Sequence, residues 1–328
     1  MSGTMSGLLE IEDLRVTFRT RYGEVTALDS VSLQVEAGET LGVVGESGCG
    51  KSITALSVMG LIPSPPGKIA GGSIRLNGEE LIGASPARMR ALRGSDVAMI
   101  FQEPMTSLNP VFTVGAQIAE AIMLHQKVSA DQAFKDAVAL LDRVGIPSPD
   151  RRAKDYPHQL SGGMRQRVMI AMAVSCRPKV LIADEPTTAL DVTVQAQIFD
   201  LLNEIQRDFG AAIVLITHDM GAISEMADRV AVMYAGRVIE QATADDVLDL
   251  PQHPYARGLI DCIPTLGRAD HTLKEIPGVV PPLHLLGEGC AFADRCALRQ
   301  DRCTREKPRL VSHGKHPVAC HAAEEGRI

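Results

Sequence analysis

The chain has 328 residues, of which 45% are hydrophobic and 22% charged, enough to bury a sizeable core as one large domain with an appendage or as two domains. Lys and Arg number 33 against 40 Asp and Glu, a net charge of −7, which argues against a broad nucleic-acid-binding face; 3% aromatics and no Trp argue against a base-stacking platform. No apolar run approaches the ~20 residues of a membrane span. The first residues, MSGTMSGLLEIEDL, carry no basic start, apolar stretch or small-residue cleavage site, so no signal peptide is expected. The default compartment is the cytoplasm, where the seven cysteines would be thiols or metal ligands.

In chain order, Leu9–Phe18 and Asp29–Gly38 partly alternate apolar and polar, as in an antiparallel sheet with one wet face. TLGVVG (Thr40–Gly45) is nearly all apolar and reads as a strand buried on both faces. It runs into GESGCGKS, which fits G-x-x-x-x-G-K-[ST], and then into the helical run SITALSVMG. Strand, loop and helix are the context a phosphate-binding loop requires. Gly45, Gly48 and Gly50 let the backbone N–H groups face a phosphate, with Glu46, Ser47 and Cys49 between them; Lys51 can reach the β- and γ-phosphates and the Ser52 hydroxyl can ligate Mg²⁺. Cys49 reads as a small filler, with a redox switch as the alternative.

VAMIFQ (Val97–Gln102) is a further buried strand, and from about residue 103 to 165 the texture becomes helical, as an inserted subdomain. LSGGMRQR (Leu160–Arg167) then opens a long helix. Ser161 would cap it and Gly162 and Gly163 leave bare N–H groups at its positive end, a second anion site built without lysine. One nucleotide does not need both elements, so the chain is expected to pair head to tail with each nucleotide sandwiched. VLIADEP (Val180–Pro186) ends a buried strand in two acids: Asp184 suits Mg²⁺ and Glu185 suits a general base. IVLITHD (Ile213–Asp219) is a fourth buried strand, with His218 at its end.

Taken together these motifs resemble the nucleotide-binding subunit of an ABC transporter. The order matches: phosphate loop, glutamine loop at Gln102, signature LSGGMRQ, the Asp184–Glu185 strand end, the loop ALD (Ala189–Asp191) and a switch histidine at His218. The resemblance implies an α/β fold: a RecA-like P-loop ATPase core with an antiparallel β subdomain, a helical insertion over about 103–165 and a Cys-containing C-terminal extension. It assigns residues 1–250 to the nucleotide-binding domain and 251–328 to the extension. It implies that Gln102 senses the γ-phosphate and Mg²⁺, that His218 steadies Glu185 and its water, and that Asp191 lies at the dimer seam. An aromatic upstream of the loop would stack on adenine, Phe18 ahead of Tyr22.

EPMTSLNPVFTVG (Glu103–Gly115), and in the tail HPYARGLIDCIP, IPGVVP and GCAFADRC, resemble the dipeptide, oligopeptide and nickel importers of that family. The resemblance therefore implies an ATPase for peptide import at the cytoplasmic face of the membrane, using ATP and Mg²⁺. Its partners would be a sister ATPase subunit, two permease subunits and a solute-binding protein, with no nucleic acid. Other cargo, nickel or another small solute, stays open, as does a soluble ABC ATPase outside transport.

Cys290, Cys296, Cys303 and Cys320 follow C-x5-C-x6-C-x16-C. Spacing alone leaves zinc, an iron–sulfur cluster and free thiols open; the resemblance points to a [4Fe–4S] cluster. Cys49, Cys176 and Cys262 do not fit this spacing, and Cys176 is expected in the core. His253, His313 and His316 are read as surface histidines ahead of ligands.

Overall fold

A computed structural model describes residues 7–103, 107–188, 190–262, 275–313 and 316–328, with only the backbone of His313. Expectations resting on 104–106, on Ala189 and on Ile263 and Pro264 lie outside them. The chain forms two compact units: Met1–Gln34, Thr40–Ile82 and Ile216–Ile328 in the first, Val35–Glu39 and Gly83–Leu215 in the second. The strands are β1 (Leu9–Thr20), β2 (Gly23–Val35), β3 (Thr40–Val44), β4 (Gly67–Leu76), β5 (Glu79–Glu80), β6 (Val97–Ile100), β7 (Val180–Asp184), β8 (Ala212–Thr217), β9 (Arg229–Tyr234), β10 (Arg237–Thr243), β11 (Val311–His313) and β12 (His316–Val318).

In the first unit a sheet of order β2-β1-β4-β5 forms the expected antiparallel subdomain. Its imperfect alternation has a local cause. Leu9 and Ile11 are buried, then Leu14 and Val16, so the inward set slips by one residue. The pairing with β4 shifts at the same place, and Asp13 has φ +46°. This is a β-bulge that keeps apolar residues on one face across the slip. The unit's other strands run in the order β11-β12-β10-β9-β3. β3 pairs parallel with β9, and β9 turns back into β10 through Ala235 and Gly236, both at positive φ as a tight hairpin requires. Every residue of β3 is buried, which accounts for its unbroken apolar run.

Residues after Leu250 join this unit. Tyr255 and Phe292 pack edge-on against Tyr234 of β9, with centroids 4.7 and 5.3 Å away. β12 pairs with β10 at Glu240, which is fully buried. Its carboxylate accepts from the N–H groups of Gln252 and His253, each at 2.7 Å, and lies 2.7 Å from His316 Nε2.

The second unit holds β6 and β7 in parallel register, Val97 opposite Val180, with β8 next to β7 up to its boundary residue Leu215. The helices Val114–His125, Ala130–Arg143 and Pro149–Arg152 fall in the stretch expected to be helical, and Gly162–Val174 is the long helix expected after it. In Ala130–Arg143 the buried set is Ala133, Ala137 and Leu141, one stripe at i, i+4, i+8. Gly162–Val174 buries residues around its whole circumference, including Val168, Ile170 and Ala171. Among the described residues no helix is long and apolar enough to cross a membrane.

Candidate nucleotide site

The phosphate loop lies between β3 and the helix Lys51–Val58 of the first unit. Gly45 has φ +153°, and a Cβ there would stand 2.3 Å from the Met233 carbonyl oxygen; Gly50, at φ +107°, would put one 2.6 Å from Leu28. Those glycines exist because the loop passes against packed chain. Gly48 (φ +79°) meets nothing within 4 Å, so its role is conformational. Lys51 is 5% exposed and folds back, its ammonium donating to the carbonyls of Gly45 (2.6 Å) and Glu46 (3.1 Å). Ser52 is half-buried at the helix start. Cys49 is fully buried; burial pushes its thiol up, against the pull of Lys51, which fits the filler role and leaves little thiolate for redox chemistry.

The second unit carries the carboxylate pair at the end of β7. Asp184 is 4% exposed. Glu185 follows with φ +46°, a left-handed conformation that costs energy in a residue other than glycine. One of its carboxylate oxygens accepts from both Gln102 Nε2 and Thr188 Oγ1, each at 2.8 Å. Gln102 and Glu185, 83 residues apart, are thus brought together. Ser161 caps the helix Gly162–Val174, its hydroxyl accepting from Met164 N–H; around Gly162 a Cβ would meet nothing within 4 Å, while one on Gly163 would touch Val194 at 3.2 Å. The signature helix therefore presents an open N-terminus. Asp191 caps a different helix, Val192–Phe209, accepting from Val194 N–H at 3.0 Å.

In the first unit His218 is exposed just beyond β8. Phe18 is partly buried and packs on Gly67, its register partner on β4. Tyr22 is 59% exposed and stacks on His284 at 4.3 Å.

Of the seven cysteines, four gather in the tail. The Cys290 N–H donates to the Cys303 carbonyl at 2.8 Å. Burial pushes the Cys290 thiol up to about 11 and raises those of Cys296 and Cys320; the charge of the neighbouring thiols adds to each shift. Among the described residues no three His, Cys, Asp or Glu side chains converge closely enough to hold a single metal ion. Cys176 is only partly buried, its thiol donating to the Ala121 carbonyl at 3.6 Å. The histidine expectation is corrected. His253 and His316 are 2% and 4% exposed, and they tie the tail together through Glu240. The side chain of His313 lies outside the described residues.

Sequence reasoning missed one contact at the loop. Glu46 is held from the far end of the chain, by Tyr255, whose hydroxyl accepts from Glu46 N–H at 2.7 Å, and by Arg295. No local pattern marks residues paired across 249 positions.

The family described as "ABC transporter" matches residues 28–188, and "Oligopeptide/dipeptide transporter, C-terminal region" matches 239–303. The chain is 48% identical over 317 residues to the dipeptide transport ATP-binding protein DppD of Bacillus subtilis (strain 168), covering 96% of this chain and 95% of that protein. It belongs to the ABC transporter ATP-binding proteins. Among its relatives, the oligopeptide transport ATP-binding protein OppD of Salmonella typhimurium is 52% identical over 301 residues, 92% of this chain and 89% of OppD. The ABC fold is seen in the dimeric post-hydrolysis structure of the ATP-binding cassette MJ0796 bound to ADP and Pi. That structure has TM-score 0.66 and 25% identity, over 72% of this chain and 98% of that one. The phosphate-loop lysine, the strand-end acids and the capped signature helix are therefore parts of an ABC ATPase.

Proposed function

We propose that this chain is the ATP-hydrolysing subunit that powers import of di- and oligopeptides through an ABC transporter at the cytoplasmic face of the membrane. The observation that carries the reading is the joint presence of an intact phosphate loop and a tail matching the oligopeptide/dipeptide transporter C-terminal region. Residues 1–250 are the nucleotide-binding domain in this reading and 251–328 the extension. Its partners are a sister ATPase subunit, two permease subunits and a solute-binding protein.

Gly45–Ser52 wraps the β- and γ-phosphates with backbone N–H groups, and Lys51 turns from its carbonyl acceptors to the phosphate oxygens. As the family resemblance implies, Ser52, Gln102 and Asp184 would each hold Mg²⁺ through an oxygen, the donor type that suits this hard ion. When bound, Mg²⁺ supplies neutralisation of phosphate charge. Glu185 takes the proton of the attacking water, its carboxylate aimed by Gln102 and Thr188, while His218 steadies water and γ-phosphate. Ser161, Gly162 and Gly163 offer their open helix end to the nucleotide of the sister subunit, with Asp191 at the seam. Adenine stacks on an aromatic upstream of the loop, Phe18 or Tyr22; Tyr22 is the more exposed of the two but already carries His284 stacked on its ring.

The tail's four thiols suit a [4Fe–4S] cluster of structural role. Tetrahedral zinc would draw four sulfurs to about 3.8 Å from one another, given bonds of about 2.3 Å. A cubane gives each thiolate its own iron. The support for the cluster is the tail's likeness to the peptide importers, together with four thiols close enough to raise one another's pKa.

The test is ATP hydrolysis by the assembled complex. Peptide delivered by the solute-binding protein should stimulate it, and nickel-only stimulation would reassign the cargo. No hydrolysis in the assembled complex would sink the ATPase reading. Anaerobically purified chain should carry about four irons with matching acid-labile sulfide, lost when the four cysteines become serine; one zinc without sulfide would replace the cluster by a zinc clip.

A further inference from the structure

Glu46 is the second residue of the phosphate loop, and its carboxylate faces a guanidinium from the tail. Arg295 Nη1 donates to Oε2 at 2.7 Å and Nη2 to Oε1 at 3.0 Å, a bidentate pair. The other donors are also engaged: Nε to the Pro277 carbonyl at 2.8 Å, Nη2 to that of Ile276 at 3.2 Å, and Nη1 towards the Tyr234 hydroxyl at 3.4 Å. The Arg295 side chain is 5% exposed and that of Glu46 32%. The rings of Tyr234 and Phe292 flank the guanidinium at 5.9 and 5.8 Å. Lysine could not reproduce this fork.

A carboxylate in a loop that receives a polyanion is an electrostatic liability, because like charges in a half-buried site repel with little screening. The Arg295 fork cancels that charge and fixes where the carboxylate points. The Tyr255 hydroxyl holds the same residue by its N–H. Two points of the tail thus grip one residue of the loop. Arg295 itself lies in the turn Ala293–Arg295, between Cys290 and Cys296, so the shape of the cysteine segment fixes the guanidinium.

We infer that Arg295 is a positioning residue for the nucleotide: by holding and neutralising Glu46, the C-terminal segment sets how tightly the phosphate loop takes a nucleoside triphosphate. This rests on reading Gly45–Ser52 as the ATP site, and adds that affinity is set from a segment some 250 residues away.

The test is equilibrium binding of a fluorescent ATP analogue to the full chain at low salt, with steady-state ATP hydrolysis by the assembled transporter. Arg295→Ala should raise Kd about ten-fold, ~1.4 kcal/mol, and raise KM in parallel with kcat within about two-fold. Combining it with Glu46→Gln should return Kd to within about three-fold of wild type, because the uncompensated charge is gone. A merely structural loss would not be rescued by removing the second partner. An unchanged Kd in Arg295→Ala, or a double variant as weak as the single, overturns the inference. If Arg295→Ala does not fold, Arg295→Lys keeps the charge without the fork. It should weaken binding about three-fold and be rescued by Glu46→Gln; no weakening there overturns the inference equally. Lys51→Ala isolates the underlying reading. Binding lost there but unchanged in the Arg295 variants sinks the inference alone, and binding kept in Lys51→Ala sinks the ATP-site reading too.

Discussion

Glu185 holds a left-handed backbone while one carboxylate oxygen accepts two side-chain hydrogen bonds. Strain of this kind persists where the surroundings over-determine the conformation. Glu185→Gln keeps the shape and removes the base. Phosphate release by the assembled complex should fall about 10²–10⁴-fold while nucleotide binding to the chain is retained. At Gly45 the constraint is steric. Gly45→Ala sets a Cβ against the Met233 carbonyl and should cost more than about 2 kcal/mol in chemical denaturation, with nucleotide binding lost. His253 gives a pH signature. Burial holds its imidazole down to about 3, below the ~6.5 of the unfolded chain, and its Nδ1 accepts from Tyr255 N–H. The unfolded state then binds the extra proton between those values, so this residue's contribution to stability is full above pH ~6.5 and declines as pH falls toward 3. Between pH 7.5 and 5 it should remove about 2 kcal/mol, a loss absent from His253→Asn, which keeps a capping acceptor.

At the scale of elements, the helix Val192–Phe209 separates two roles proposed for one residue. Asp191 caps its start, and Gly210, left-handed at φ +63°, closes its end. Asp191→Ala should cost about 1 kcal/mol of stability, and Asp191→Asn almost none, because Asn caps as well as Asp. If Asp191 also sits at the dimer seam, Asp191→Asn should weaken ATP-dependent pairing with the sister subunit at unchanged stability, read by sedimentation. The elements themselves were widely legible. β7 matches the run Val180–Asp184, and β3 and β6 lie within Thr40–Gly45 and Val97–Gln102, because strands buried on both faces leave continuous apolar runs. The slip in β1 was not read, since a bulge at Asp13 is decided by pairing with β4.

On the scale of the molecule, the tail is bound into the unit that holds the phosphate loop. Tyr255 and Phe292 pack on Tyr234, and β12 pairs with β10 beside buried Glu240. Deleting residues 251–328 would uncover that aromatic cluster and leave the Glu240 charge without its N–H partners. A chain ended at Leu250 should be aggregated or open to protease where the full chain is not, and nucleotide binding should go with it.

What the sequence by itself determined is whatever depends on near neighbours: the glycines, lysine and serine of the loop, the acids ending an apolar strand, the serine opening the signature helix, the stripe of the insertion. Each needs only a few adjacent residues of the right size and charge, so the pattern is written in the chain. What only the tertiary structure decided is where distant groups meet: Gln102 on Glu185, Arg295 on Glu46, and His253 and His316 on Glu240. The last removed two histidines from the surface. The pairings of Arg295 and of Glu240 arise because burying a charged or polar group demands a partner, and any part of the chain that the fold brings alongside can supply it.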